Sequence, residues 1–550
     1  MSVRNGFVLL LALSALMFLA ACGGSSSGVA NPVAPPSGSF SNSSLNGTYV
    51  FAVSGLDATG APYSMAGTFT AGSGGISGGT IDINDPAEFS TPVADAAISS
   101  SSSYSITVDG RAQTKITVSG ITGGFPVLNL DFVLSTGSSG LVSEIDNFGT
   151  GTGTIDAQTA NVTPSGQYAF SLSGAFGSGT LTAAGNFILG SGGAISSGLE
   201  DFNDNGGTIG TAETLTGSVV VSSSAPSTTL STSSYPNLTF DVFPISSSHL
   251  KFIEMDTTAT LSGDAFSQTS TAMPTGTLPF TLAGTAGTSA TPFFAAGGFL
   301  VTDGNGNITS SSSEDYNLGG SLSPSGSVSF TGTYTASPAG AGRYTLGLTS
   351  FNGGSTYVAY PSSGGVLLMD VDSGANIVTT GAAYGPQSST ASLNTGAGYG
   401  LNLAGAVVSG GALQAFVYDT GEFATASSGN TISSGAIDEG FLEPGPQLGS
   451  SYGVPLTNGT YTAPSGGRGS LTVTASSSNG NNTTLNGGLN LIYYTVDGTT
   501  FPFIEYDSGQ VSAGILVLQN PSSSSASVAK PESMFVPHLP LRPSVKKKAQ

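Results

Sequence analysis

Carboxylates two residues apart recur four times in this sequence, as Glu144-Ile145-Asp146, Glu254-Met255-Asp256, Asp370-Val371-Asp372 and Glu505-Tyr506-Asp507. On a strand this spacing puts both acids on one face. Such a pair could serve as general acid and base in glycoside hydrolysis, or offer oxygen ligands to calcium. Recurrence argues for a different role. A catalytic pair is needed once per site, whereas these acids close every repeat at the end of an apolar run. The expectation is therefore structural, with the carboxylates accepting hydrogen bonds at a turn or barrel mouth. Calcium or polar-ligand binding ranks second and catalysis last.

Other chemistry is sparse. The two histidines are His249 and His538. A Ser-His-Asp triad would have to use His249, because a residue in the C-terminal tail cannot be held in the required geometry. His249 follows Ser246-Ser247-Ser248 just before the strand Leu250 to Asp256, and is expected to be a solvated turn residue. With histidines this far apart and a single cysteine, no zinc or iron ligand set forms, and neither a metal nor another cofactor is expected. Asp303-Gly304-Asn305-Gly306-Asn307 opens like a calcium loop, with Glu314 at the twelfth position. Ile308 stands at the sixth, however, where that loop requires Gly, so a hairpin turn is the better expectation.

The elements that must position these acids are repeats. Tyr49-Val50-Phe51-Ala52-Val53-Ser54-Gly55 returns as Tyr168 to Gly174, Leu278 to Gly284 and Tyr399 to Gly405, with spacings of 119, 110 and 121 residues counted from the closing glycines. Large apolar residues alternate with small or polar ones, the pattern of a half-buried strand. A second landmark follows as Gly67-Thr68-Phe69, Gly185-Asn186-Phe187, Gly297-Gly298-Phe299 and a degenerate Gln414-Ala415-Phe416. Strand starts at Ile76, Ile195, Ile308 and Ile432 then lead to Asp82, Asp201, Asp315 and Asp438. The carboxylate pairs are the third landmark. In the first repeat the pattern predicts eight strands, near 47–54, 62–71, 76–84, 103–109, 113–120, 126–135, 140–147 and 150–157.

The chain thus reads as all-β, with four tandem antiparallel β units at 43–160, 161–272, 273–390 and 391–521. Each is expected to be a small up-and-down barrel or sandwich, the four strung in series. The alternative is a β-propeller with two blades per unit.

Composition narrows the function classes. Charged residues are 8% of the chain, Gly numbers 81, and the formal charge is -21. Of the eleven Lys and Arg, five lie in the last 21 residues, leaving Arg111, Lys115, Lys251, Arg343 and Arg468 for the body. A body this acidic cannot neutralise a phosphate backbone, so nucleic acid is excluded as a partner. Tyr and Phe number 18 and 29 without any Trp, and their repeated strand positions are expected to be core.

The N-terminus sets the expected location. Arg4 precedes an apolar run from Phe7 to Leu19, which leads into Leu19-Ala20-Ala21-Cys22 followed by Gly23 and Gly24. This resembles the lipobox of bacterial lipoproteins. The resemblance implies a signal peptide over 1–21 and lipidation of Cys22, the only cysteine of the chain. It also implies an exported membrane-anchored protein, at the outer membrane or cell surface because Gly23 is not the aspartate that retains such proteins at the inner membrane. Residues 22–42, rich in Gly, Ser and Pro, read as a flexible tether, and 522–550 as a disordered basic tail ending in Lys546-Lys547-Lys548. The functional expectation is a non-enzymatic binding, adhesion or envelope-scaffold module. It is held to a membrane by lipid, with a cell-envelope polymer or carbohydrate as the possible partner. The alternative is a secreted carboxylate-dependent polysaccharide hydrolase.

Overall fold

The computed structural model describes residues 32–523 apart from 34, 36–37, 122–126, 178, 206–207, 222–226, 236, 288–290, 325, 373–376, 446 and 476–487. The signal peptide, Cys22, His538, most of the tether and nearly all of the tail lie outside the described residues.

Each repeat closes on itself as an eight-position antiparallel barrel. In the first, the strands are β1 (Asn46–Asp57), β2 (Pro62–Gly72), β3 (Gly75–Asn84), β4 (Val93–Ile98), β5 (Ser103–Ile106), β6 (Arg111–Ser119), β7 (Val127–Thr136), β8 (Ser139–Ile145) and β9 (Gly149–Ala157). Hydrogen bonding runs from β1 through β2, β3, β4, β6, β7, β8 and β9 back to β1. One position is split, with β4 bridging β3 to β6 near one end and β5 near the other. The second barrel is split likewise. Thr208–Thr214 pairs with one neighbour, Ile195–Asp204, Thr216–Ser218 pairs with the other, Thr228–Ser231, and a single bridge between Ala194 and Ser218 completes the circuit. In the third, pairing between Phe293–Thr302 and Asn307–Leu318 completes the circuit, and the fourth is a closed barrel of eight strands from Gly398 to Leu518. Closure within each unit replaces the propeller alternative, whose blades would leave sheet edges open. It removes the unpaired edges that a flat sheet would expose.

Strand register explains the second landmark in two barrels and corrects it in the other two. Phe51 and Phe170 face Gly67 and Gly185 across the ladder. A side chain at Gly185 would come within 2.5 Å of the Phe170 ring, so glycine is required there. In the fourth barrel, however, Leu401 faces Gly421 and Tyr399 faces Phe423. The true counterpart is therefore Gly421-Glu422-Phe423 rather than Gln414-Ala415-Phe416. In the third barrel Phe280 faces Gly298, which shifts that landmark by one residue.

Aromatic and branched side chains fill the barrels. Tyr49, Phe51, Tyr63 and Phe69 sit in the first core and Tyr168, Phe170, Phe187 and Phe240 in the second. The stacked pairs Tyr49–Phe69, Tyr168–Phe187 and Tyr399–Phe423 have ring centroids 6.0, 5.6 and 5.5 Å apart. A cavity inside the third barrel, among Phe280, Leu300, Phe330, Phe351, Tyr357 and Leu368, measures about 20 Å³. That is enough for one water at most, so this barrel is a packed core and not a ligand-holding calyx.

The barrels form a ring, where the sequence suggested beads on a string. Val50 and Ala66 of the first pack on Phe243, Ile253 and Met255 of the second. Ala169, Ala184 and Phe266 of the second meet Val358, Tyr360 and Met369 of the third. Phe293 and Phe299 of the third meet Phe416 and Tyr494 of the fourth. Val133 and Leu141 of the first meet Ile515 of the fourth, and Asn520 N–H donates to Ser135 O at 2.7 Å, which closes the circuit. The small outward residues that read as a solvent face are the residues that let neighbouring barrels approach. Ser54 and Ser262 hydroxyls meet at 2.5 Å, and Ser143 and Thr420 hydroxyls are also hydrogen-bonded.

Candidate functional site: an acid junction repeated between barrels

Each carboxylate pair divides into two roles. The first acid ends its strand inside the barrel, where Glu144, Glu254, Asp370 and Glu505 are all fully buried. The second lies just past the strand and accepts hydrogen bonds from the chain's own donors. Asp146 accepts from Phe148 at 2.7 Å and Asn129 at 2.8 Å, Asp256 from Thr258 at 2.8 Å, and Asp507 from Gly509 at 2.7 Å and Gln510 at 3.0 Å. Asp372 accepts from the Ser355 hydroxyl at 2.9 Å.

Burial in low dielectric penalises the charged form of the first acid. Burial, with Asp256 beside it, pushes Glu254 up to about 10, and burial pushes Asp370 up to about 8. Glu144 and Glu505 are raised by burial and then by Asp146 and Asp507. Burial thus favours the neutral form of all four interior acids, which also accept hydrogen bonds. Tyr63 donates its hydroxyl to Glu144, and Asn490 N–H donates to Glu505 at 2.6 Å.

The same strand ends are docking points for the preceding barrel, through an Asp-x-Asn motif. Asn84 donates its amide to Glu254 O at 2.8 Å and Ala259 O at 3.0 Å. Asn203 donates to Asp370 O at 3.1 Å and Ile377 O at 2.9 Å, and Asn317 to Asp507 O at 2.8 Å and Gln510 O at 2.7 Å. In the fourth barrel Gly440 takes the Asn position, because any Cβ there would come within 2.2 Å of Thr150 Oγ1 in the first barrel. The sequence presented the aspartates of this motif, but Asn84, Asn203 and Asn317 two residues on were missed, although their recurrence was there to be found.

The aspartates Asp82, Asp201, Asp315 and Asp438 face the next barrel. Arg343 clasps Asp201 through Nε at 2.6 Å and Nη2 at 2.5 Å, and Tyr360 adds its hydroxyl. Arg468 clasps Asp315 through two bonds of 2.8 Å, with Tyr494 also at 2.8 Å. Asp438 lies in the field of Arg111, which is bound to Asp109 at 3.1 Å and stands 3.9 Å from Glu422. Three of the five body cations thus serve one repeated position.

The junction between the first and second barrels has no such cation. Asp82 meets Asp241 of the second barrel and Asp95 of its own, and one carboxylate oxygen from each lies within 4.8 Å of the others. Asp95 N–H donates to Asp82 Oδ1 at 2.6 Å from a left-handed backbone with φ of 50°. Burial, then Asp241, pushes Asp82 up to about 9. Nearby, Lys251 Nζ is 2.8 Å from Asp264.

His249 departs from expectation. It begins the strand His249–Glu254, is 4% exposed, stacks on Phe266 with centroids 4.5 Å apart, and places Nε2 2.6 Å from Asp264. It is therefore a packed barrel-face residue and not a solvated turn residue, because the face it shares with Lys251 is covered by the first barrel. Its Nδ1 has no hydrogen-bond partner among the described residues. The Asp303 loop is a hairpin turn, with Asp303 Oδ1 accepting from Asn305 N–H at 2.7 Å and Asn307 N–H at 3.0 Å. Glu314 instead turns into the third barrel and accepts from Asn352 Nδ2 at 2.6 Å.

No family model matches the sequence, and no curated protein matches it. Among solved structures, a putative AttH from Nitrosomonas europaea is similar over 40% of this chain and 92% of its own, with 12% identity and a TM-score of 0.17. The isotype 1 transferrin binding protein B of serogroup B Neisseria meningitidis is similar over 74% of this chain and 83% of its own, with 11% identity and a TM-score of 0.19. Likenesses this remote leave the chain's role to be argued from its own residues.

Proposed function

We propose that this chain is a lipid-anchored, non-enzymatic binding or scaffold module of the cell envelope. In this reading Cys22 carries the lipid and the four-barrel ring is displayed on the tether. The observation that carries it is the fate of the repeated acids. Equivalent carboxylates occupy equivalent positions in all four units, the first of each pair buried inside its barrel and the second accepting from the chain's own donors, rather than converging in one accessible cleft. That distribution favours a scaffold over the polysaccharide hydrolase, which needs one acid and one base beside a substrate.

A binding role would fall to the neutral outer surface. An open groove of about 700 Å³ on the fourth barrel runs between Ser433, Ser434, Thr457, Asn458 and Thr460. Its hydroxyls and amide suit a neutral polar polymer. Aromatic stacking on sugars has little support, because Tyr452 is the one large exposed aromatic among the described residues, at 42% exposure.

Cell fractionation tests the anchor. The wild-type protein is expected in the membrane fraction, and Cys22→Ala in the soluble or unprocessed fraction, because two or more acyl chains suffice for stable anchoring. An unmodified Cys22 at the mature N-terminus would refute the anchor. Release of reducing sugar from envelope polysaccharide by the purified protein would instead favour the hydrolase.

A further inference from the structure

We propose that the junction between the first and second barrels is a divalent-cation site of the calcium type, with Asp82, Asp95 and Asp241 as its carboxylate ligands. Three observations lead there. One carboxylate oxygen from each residue lies within 4.8 Å of the other two. Calcium takes oxygen ligands at about 2.3–2.6 Å, so oxygens on opposite sides of one ion stand about 4.8 Å apart. The trio therefore spans one such ion.

Second, the site holds buried oxygens that no N–H or hydroxyl donor of the protein reaches, facing one another as carboxylates. Asp82 is 0% exposed, and no donor reaches its Oδ2; none reaches Asp95 Oδ2 either, which is covered although Asp95 itself is only half-buried. Buried polar atoms in native proteins are paired, and an unpaired carboxylate oxygen is the costly exception that an ion removes.

Third, the ring supplies its own controls. At the sibling positions Asp201 and Asp315 are each clasped by a guanidinium, and Asp438 lies in the field of a third. The second barrel, which would have to provide the cation for Asp82, contains no arginine, and its single lysine, Lys251, is held 2.8 Å from Asp264. Where this cation is missing, a ligand is gained. The left-handed residue whose N–H caps the aspartate is Ala212 in the second barrel and Gly453 in the fourth, but Asp95 here. By register, Asp241 stands where the third and fourth barrels have Val358 and Ile492 and the first has Asp131, which lies in the field of Arg111. Loss of a positive side chain together with the carboxylate gained at Asp95, beside an Asp241 that no guanidinium neutralises, is what replacement of arginine by a bound cation requires. The ion would tie the first barrel to the second as arginine ties the second to the third.

Calorimetric titration and thermal unfolding of the full mature protein, after chelation, test this with calcium chloride as the probe and magnesium chloride beside it. Calcium is expected to bind at one site per chain with a dissociation constant on the order of 10⁻⁴ M. At millimolar concentration it should raise the melting temperature by about 3 °C, reversibly on chelation, because the ion binds only the native state. Asp95→Ala, which copies the residue the second barrel carries at this position, should fold and lose the response. Asp241→Val should do the same. Glu254→Gln with Asp256→Asn should keep it, which separates this site from the repeated pairs. Absence of a calcium-dependent shift in the wild type, or a shift that persists in both Asp95→Ala and Asp241→Val, would overturn the proposal. The trio would then be an acid cluster that shares protons.

Discussion

The melting temperature of this protein is expected to fall steadily as pH rises from about 5 to about 9, the opposite of what ion-paired carboxylates produce. Burial pushes Glu200 and Asp370 up to about 8, Glu314 and Asp85 up to about 7, and Glu254 up to about 10. In the unfolded chain the same acids titrate near 4. The folded state therefore holds protons that the unfolded state has released. Each such acid stabilises the fold fully below about pH 4, and its contribution is lost as pH climbs toward the folded value. Where several titrate together, each removes up to about 1.4 kcal/mol per pH unit. The counter-case is Asp264. Burial opposes its ionisation, but Lys251 and His249 hold it well below the usual range, so its contribution disappears only in stronger acid and is constant across this window. Calorimetric scans at pH 5, 7 and 9, at fixed ionic strength and with chelator present, check this. A melting temperature that climbs over the same range would mean that the interior acids are ionised and paired.

Arg343→Met is expected to be the most damaging single change at the barrel junctions. Asp201 is 0% exposed and Arg343 3%, and the two are joined by bonds of 2.5 and 2.6 Å. Removing the guanidinium strands a carboxylate between two barrels, where breaking a buried pair from one side costs about 3–5 kcal/mol. Adding Asp201→Asn should recover much of that loss, since the stranded charge is then gone. Denaturant unfolding of both variants reads the difference, with the exposed Lys115→Met as a control expected to change stability by less than about 0.5 kcal/mol. A junction variant no worse than this control would show that the guanidinium contributes nothing to the ring.

The barrels themselves were legible in the sequence because their interiors alternate. Tyr49, Phe51 and Val53 point inward, and the repeat spacing follows from the same pattern. Val93–Ile98 was not, since Val-Ala-Asp-Ala-Ala-Ile contains too few bulky residues to register as a strand and supplies only part of one ladder position. The ring was hidden for a related reason. Ser54, Ser143, Ser262 and Thr420 resemble a solvent face, and only the register reveals that small hydroxyl residues mark where two curved barrels touch. The carboxylate pairs were visible as a motif. What they receive was not, because Asn84, Asn203 and Asn317 act on the following barrel more than 150 residues away, where no local pattern can record the contact. Arg343 and Arg468 share that difficulty. Their meaning lies in which aspartate they meet across a junction.

The ring is tested most directly between its first and last barrels. The Ser143 and Thr420 hydroxyls are hydrogen-bonded across 277 positions of sequence, at the one junction that a linear string would lack. Cysteines placed at both positions, in protein produced without residues 1–22, should form an intrachain disulfide under mild oxidation, because side chains in contact bring the two Cβ atoms within bridging distance. The expected result is near-complete crosslinking in dilute monomer, seen as a mobility shift on a non-reducing gel that reductant abolishes. Cysteines that stay reduced, or that link only between chains, would contradict the closed ring and return the molecule to four barrels in series.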